Sequence, residues 1–154
     1  MFPDVLNRHL LSCATVSKSG IGKGTGRLTP PPQQWLVDQA QAVVTKLRDK
    51  EGLSSEVTLK AINSYGDLLT DYGDDRKACA MLRLCWETRR DLLGTNAIKT
   101  VLAGLDYADA LKNSGEYLHE ALAIYKDACM LCRQRFGDED SQTLRAEWGY
   151  AMLL

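Results

Sequence analysis

Three threonines set at a near-constant interval constrain this chain more than any other feature. Thr58, Thr100 and Thr143 each follow a glycine by six residues (Gly52, Gly94, Gly137), and those glycines are 42 and then 43 residues apart. Seven residues after each threonine stands a tyrosine, at Tyr65, Tyr107 and Tyr150. A second glycine (Gly73, Gly115) falls 15 residues after the first two threonines, followed by an alanine at Ala78 and Ala121. So many positions held in one register mark an internal repeat, in which each unit buries its apolar face against its neighbours.

Each unit carries two stretches of helical periodicity. The first runs over Leu59, Ile62, Leu68 and Leu69, and again over Val101, Leu105, Ala108 and Leu111. The second runs over Ala78, Met81, Leu82 and Cys85, matched by Ala121, Ile124, Tyr125 and Ala128. Glycines after the stretches suit left-handed C-caps, and Ser54-Ser55-Glu56 and Asp138-Glu139-Asp140-Ser141 offer N-caps and first-turn acids. The pattern predicts an all-α chain with helices at about 33–50, 54–71, 75–93, 97–114, 118–136 and 140–154. Small residues recur at Gly66, Ala108 and Ala151 and at Ala78 and Ala121, where paired helices must approach closely.

Proline marks the other boundary. All four prolines lie in the first 32 residues, with Gly20, Gly22, Gly24 and Gly26 beside them, so 1–32 reads as a flexible leader and 33–154 as the repeat domain. Within that domain, repeat units are expected at about 54–95 and 96–138, with partial units at 33–53 and 139–154. The 154 residues carry 19 basic and 20 acidic side chains, a balance of -1 that points to no nucleic-acid partner. No run approaches the roughly 18 apolar residues of a membrane span. Five cysteines are too few and too odd in number for a disulfide scaffold, and indicate a reduced, cytoplasmic setting. The leader's excess of base over acid is compatible with an organelle transit peptide and equally with an unstructured leader.

A 42-residue helix–turn–helix repeat of this kind resembles the long tetratricopeptide repeats of kinesin light chain. The likeness rests on Thr58-Leu59, Thr100-Val101 and Thr143-Leu144, and on the aromatic-small pairs Tyr65-Gly66, Tyr107-Ala108 and Tyr150-Ala151. It rests also on the turns from Gly73 to Ala78 and Gly115 to Ala121, and on the closing Leu93-Gly94 and Phe136-Gly137. The resemblance implies antiparallel helix hairpins stacked in a right-handed superhelix (an α-solenoid). It also implies a scaffold that binds a protein or peptide segment, without catalysis or cofactor, along a concave groove lined by the first helix of each unit. An asparagine that often contacts the bound backbone in that family is replaced here by Ser64, Asp106 and Gly149.

The groove columns expected on that basis are Lys60, Leu102 and Arg145; then Ser64, Asp106 and Gly149; then Asp67, Asp109 and Met152; and last Asp71 and Asn113. Asp67, Asp71, Asp106 and Asp109 together would make a negative patch suited to a basic partner segment, unless they are simply solvated positions on amphipathic helices. At the ends, Leu144, Trp148, Ala151, Leu153 and Leu154 lack a covering second helix, and Trp35, Leu36, Val43 and Val44 lack a preceding first one. Such faces imply either a longer array, the favoured expectation, or self-association through the terminal helices.

Other chemistry finds less footing. Ser17 to Thr25 ends in GKGT but has Ser17 where a phosphate-binding loop needs glycine, and three prolines where it needs a helix. Cys129 and Cys132 form a CxxC in mid-helix, giving a redox- or metal-responsive alternative whose further ligands would come from Cys79, Cys85 or His119. Neither His9 nor His119 has a nucleophile and acid near it in sequence, so no catalytic or metal residues are expected.

Overall fold

The computed structural model describes residues 34–154, so the leader, the GKGT segment and His9 lie outside the described residues. The described residues form six α-helices: α1 Gln34–Glu51, α2 Glu56–Tyr72, α3 Asp75–Leu93, α4 Ile98–Ser114, α5 Leu118–Phe136 and α6 Ser141–Leu153. Every edge falls within two residues of the range read from periodicity. None of these helices is long and apolar enough to cross a membrane.

The turns use two kinds of stop. Gly73 and Gly115 adopt the left-handed conformation, and each donates its N–H back to the preceding turn (Leu69 and Thr70; Leu111 and Lys112). Gly94 and Gly137 also have positive φ (88° and 91°), but with ψ of 164° and 173°, a region essentially closed to residues with a Cβ. The sequence expectation of a left-handed cap therefore holds after α2 and α4, whereas α3 and α5 end in an extended glycine. Of the caps expected at helix starts, Asp140 accepts from the Gln142 N–H at 2.8 Å, but Ser55 makes no side-chain cap bond. Asp74, at the head of α3, accepts from the Lys77 N–H at 3.2 Å.

The chain divides into two compact units, one ending at Gly73 and the other running from Asp74 to Leu154. In the first, α1 packs on α2 and buries Leu36, Val37, Ala40 and Val44 together with Leu59, Ile62, Tyr65 and Leu69. Of the α1 residues expected to lie open, Trp35 is exposed and Val43 half-buried; Leu36 and Val44 are covered. In the second unit, α3, α4, α5 and α6 pack in chain order. One core there joins Leu82, Val101, Leu105, Tyr107, Ala121, Tyr125, Cys132 and Ala146. Trp86 stacks on Tyr107 with ring centroids 5.5 Å apart, and the Arg90 guanidinium lies 4.9 Å over the indole.

The recurring threonine has a structural cause. Thr58, Thr100 and Thr143 are all buried. The Thr58 hydroxyl donates to the Leu47 carbonyl at 3.4 Å and the Thr100 hydroxyl to the Arg89 carbonyl at 3.2 Å, in each case 11 residues back and in the preceding helix. Each bond ties the start of one helix to a carbonyl near the end of the helix before it. The Thr143 hydroxyl, buried in the same register, has no partner. The small residues Gly66, Ala108, Ala78 and Ala121 are buried, whereas Ala151 in the same register as Ala108 is exposed.

Candidate functional site

The residues expected to line a binding surface divide between the two units. On α2, Lys60, Ser64, Asp67 and Asp71 stand at spacings of four, three and four, one stripe along a helix. Lys60, Asp67 and Asp71 are exposed and Ser64 half-buried. Partial burial raises the carboxyl of Asp71 above its ordinary value.

On α4 the matching stripe is Leu102, Asp106, Asp109 and Asn113, and here the structure departs from the expected acidic patch. Arg145, projecting from α6, reaches across to both aspartates. Its Nη2 donates to Asp106 Oδ1 at 2.7 Å and to Asp109 Oδ2 at 2.6 Å, and its Nε donates to Asp109 Oδ2 at 2.9 Å. Lys112 approaches the other oxygen of Asp109 at 3.4 Å. Two carboxylates thus meet two cations, so Asp106 and Asp109 present a neutralised cluster rather than a negative one. Burial opposes the charge on Arg145, but hydrogen bonds and attraction from both aspartates outweigh it and raise its pKa above the ordinary arginine range. Of the remaining pair, Asn113 is exposed and Leu102 half-buried.

Tyr125 of α5 completes the cluster by donating its hydroxyl to Asp109 Oδ1. Burial first, and then the hydrogen bond to Asp109, push the Tyr125 phenol well above its ordinary value. Gly149 makes this possible, because a Cβ there would overlap the Tyr125 ring at Cε1 and Cζ. In the column of Ser64 and Asp106, therefore, Gly149 offers a partner no side chain, and its space is taken by a phenol from the neighbouring helix. Sequence reasoning placed Tyr125 in the core and did not see its polar end. The available signal was Gly149 itself, since a glycine inside a helix costs roughly 1 kcal/mol and implies something lying close against it. Met152, in the same column as Asp109, is exposed.

The cysteine alternative meets a plain obstacle. Cys132 is fully buried in the core and Cys129 half-buried, and desolvation, the leading cause in both, pushes the thiols above their ordinary value, away from the reactive thiolate. Cys79 is shifted the same way by the same cause. Among the described residues no three histidine, cysteine or acidic side chains come together as a metal site. His119, the described histidine, is exposed in the first turn of α5.

Comparison with protein-family models returns no match, and comparison with curated proteins returns none.

Proposed function

We propose that this chain is a protein-interaction module of the tetratricopeptide type. Its helix hairpins would stack in a right-handed superhelix, and a partner segment would lie along the first helices α2, α4 and α6. The observation that carries the reading is the repeated register: a buried threonine opens each of these three helices, followed seven residues on by a tyrosine. Helix pairs repeated in this way form extended surfaces whose natural use is binding.

The pairing within α4 and α6 changes the expected partner chemistry. With Asp106 and Asp109 engaged by Arg145, the surface offers held, half-exposed hydrogen-bonding groups and the apolar Leu102, rather than a free negative field. A partner of mixed polar and apolar character fits it better than a strongly basic one. Selection would come from hydrogen-bond geometry rather than long-range attraction.

The test is a quantitative affinity capture from cell extract with three chains, each checked for native helicity by circular dichroism. These are the native chain, a Leu102→Glu/Asn113→Lys variant, and a variant altered on α5 at the exposed Arg135 (Arg135→Glu). Proteins retained by the native and Arg135→Glu chains but lost from the first variant are the expected result. A retained set that all three chains share, or that both variants lose alike, overturns the reading.

A further inference from the structure

The passage from α5 into α6 repeats the spacing of two earlier ones, yet ties its helices differently. Leu47, Gly52 and Thr58 stand five and six residues apart, as do Arg89, Gly94 and Thr100, and again Cys132, Gly137 and Thr143. In the first two sets the threonine hydroxyl donates to the carbonyl of the leading residue, at 3.4 and 3.2 Å. In the third, Thr143 is fully buried and its hydroxyl has no partner among the described residues. Chain length is not the cause, because the residue count is the same in all three. Where α6 lies against α5 is what leaves the bond unmade. An orphaned buried hydroxyl is costly, so another contact must hold α6 in that place.

Arg145, two residues further on, supplies such a contact. Its three hydrogen bonds to Asp106 and Asp109 cross from α6 to α4, two helices whose direct packing is otherwise slight. The same register on α4 holds Leu102, which has no charge to bridge with. The bridge and the orphaned hydroxyl thus fall on one helix, less than a turn apart. We infer that they are alternative ties. Arg145 strapped to α4 draws the head of α6 away from the Cys132 carbonyl, and its release lets Thr143 make the bond that Thr58 and Thr100 make. Helix α6 then has two seats, one strapped to α4 and one latched to α5. The two ties are comparable in strength, since a half-exposed ion pair and a single hydrogen bond are both modest. The consequence for binding rests on the surface proposed above. A partner group that displaces Arg145 from the aspartates shifts α6 from the first seat to the second and reshapes the wall of the groove.

A mutant cycle on the full chain tests this without any partner, so its failure is distinct from a failure of the binding reading. Thr143→Val is introduced into the native chain, into Arg145→Met, and into Asp106→Asn/Asp109→Asn/Arg145→Met. The last background leaves no uncompensated carboxylate and serves where the single variant folds poorly. In the native chain the substitution should move the melting temperature by no more than about 1 °C; in both strap-free backgrounds it should lower it by about 2–4 °C, the loss of one hydrogen bond. The same shift in all three backgrounds overturns the inference. Asp140→Ala is the control, because the Asp140 cap on the Gln142 N–H also sets the head of α6 apart from those of α2 and α4. A Thr143 effect that appears on loss of that cap, and not on loss of Arg145, overturns it as well.

Discussion

Helices α4 and α6 open with the same residue pattern and end in opposite environments. Both begin near a buried threonine, and both carry apolar residues at the first and fifth positions after it: Val101 and Leu105 on α4, Leu144 and Trp148 on α6. In α4, which packs against both α3 and α5, that face is buried; in α6, which packs against α5 and only lightly on α4, it is open. The comparison separates what a repeat sequence encodes from what its neighbours complete. Periodicity encodes the apolar face, but burial needs a second helix.

The largest expected consequence is a difference in truncation cost. Leu105→Ala should cost about 2–5 kcal/mol of unfolding free energy, as deletions at fully buried sites do. Trp148→Ala, at the same register, should stay within about 0.5 kcal/mol at low protein concentration. Denaturant melts of the two variants measure this directly, and similar losses would break the comparison. Next come the glycines. Gly149→Ala should cost about 1–3 kcal/mol by forcing the Tyr125 ring aside. Gly104→Ala would bring a Cβ to 3.0 Å from Trp86 Nε1 and 3.3 Å from Ile124. That crowding is offset by a gain in helix propensity of about 1 kcal/mol, so the net change should be small.

Smaller still is the threonine contrast. Thr100→Val removes the made hydrogen bond to the Arg89 carbonyl and should cost about 1 kcal/mol. Thr143→Val removes a hydroxyl without a partner and should be neutral or stabilising. Matching losses in thermal melts would show that α6 is latched as α4 is. The last effect is at alkaline pH. Tyr107 and Tyr125 hold their protons more tightly when folded than an ordinary tyrosine near 10, mainly through burial. The folded state then binds more protons above about pH 10, so stability is full below that pH and falls as pH rises past it. Tyr125→Phe should make that fall shallower, and a pH series of melting temperatures checks it.

Much of the fold was legible because it rests on local rules. Six helix spans followed from apolar spacing, glycine and the proline-free composition after residue 32, since each depends on a few neighbouring residues. The candidate site was legible only as positions. The sequence places Asp106 and Asp109 on one face of α4, yet their charge state as a surface depends on Arg145, more than 30 residues away on another helix. No helical periodicity reports that contact. The same holds for Tyr125, whose ring belongs to the core and whose hydroxyl belongs to the polar cluster; a binary apolar pattern assigns it to one or the other. Trp35 and Trp148, by contrast, were expected on faces without a covering helix, and both lie exposed.

The threonine-to-carbonyl link spans only 11 residues of chain, which bears on how the molecule assembles and comes apart. Contacts that close short loops form quickly and are lost singly, without waiting for distant segments to meet. A chain joined by such short links should loosen helix by helix rather than all at once. In α6 the hydroxyl is unlatched and one flank is bare. Its amides should therefore exchange with solvent deuterium sooner than those of α4, making α6 the earliest helix to open.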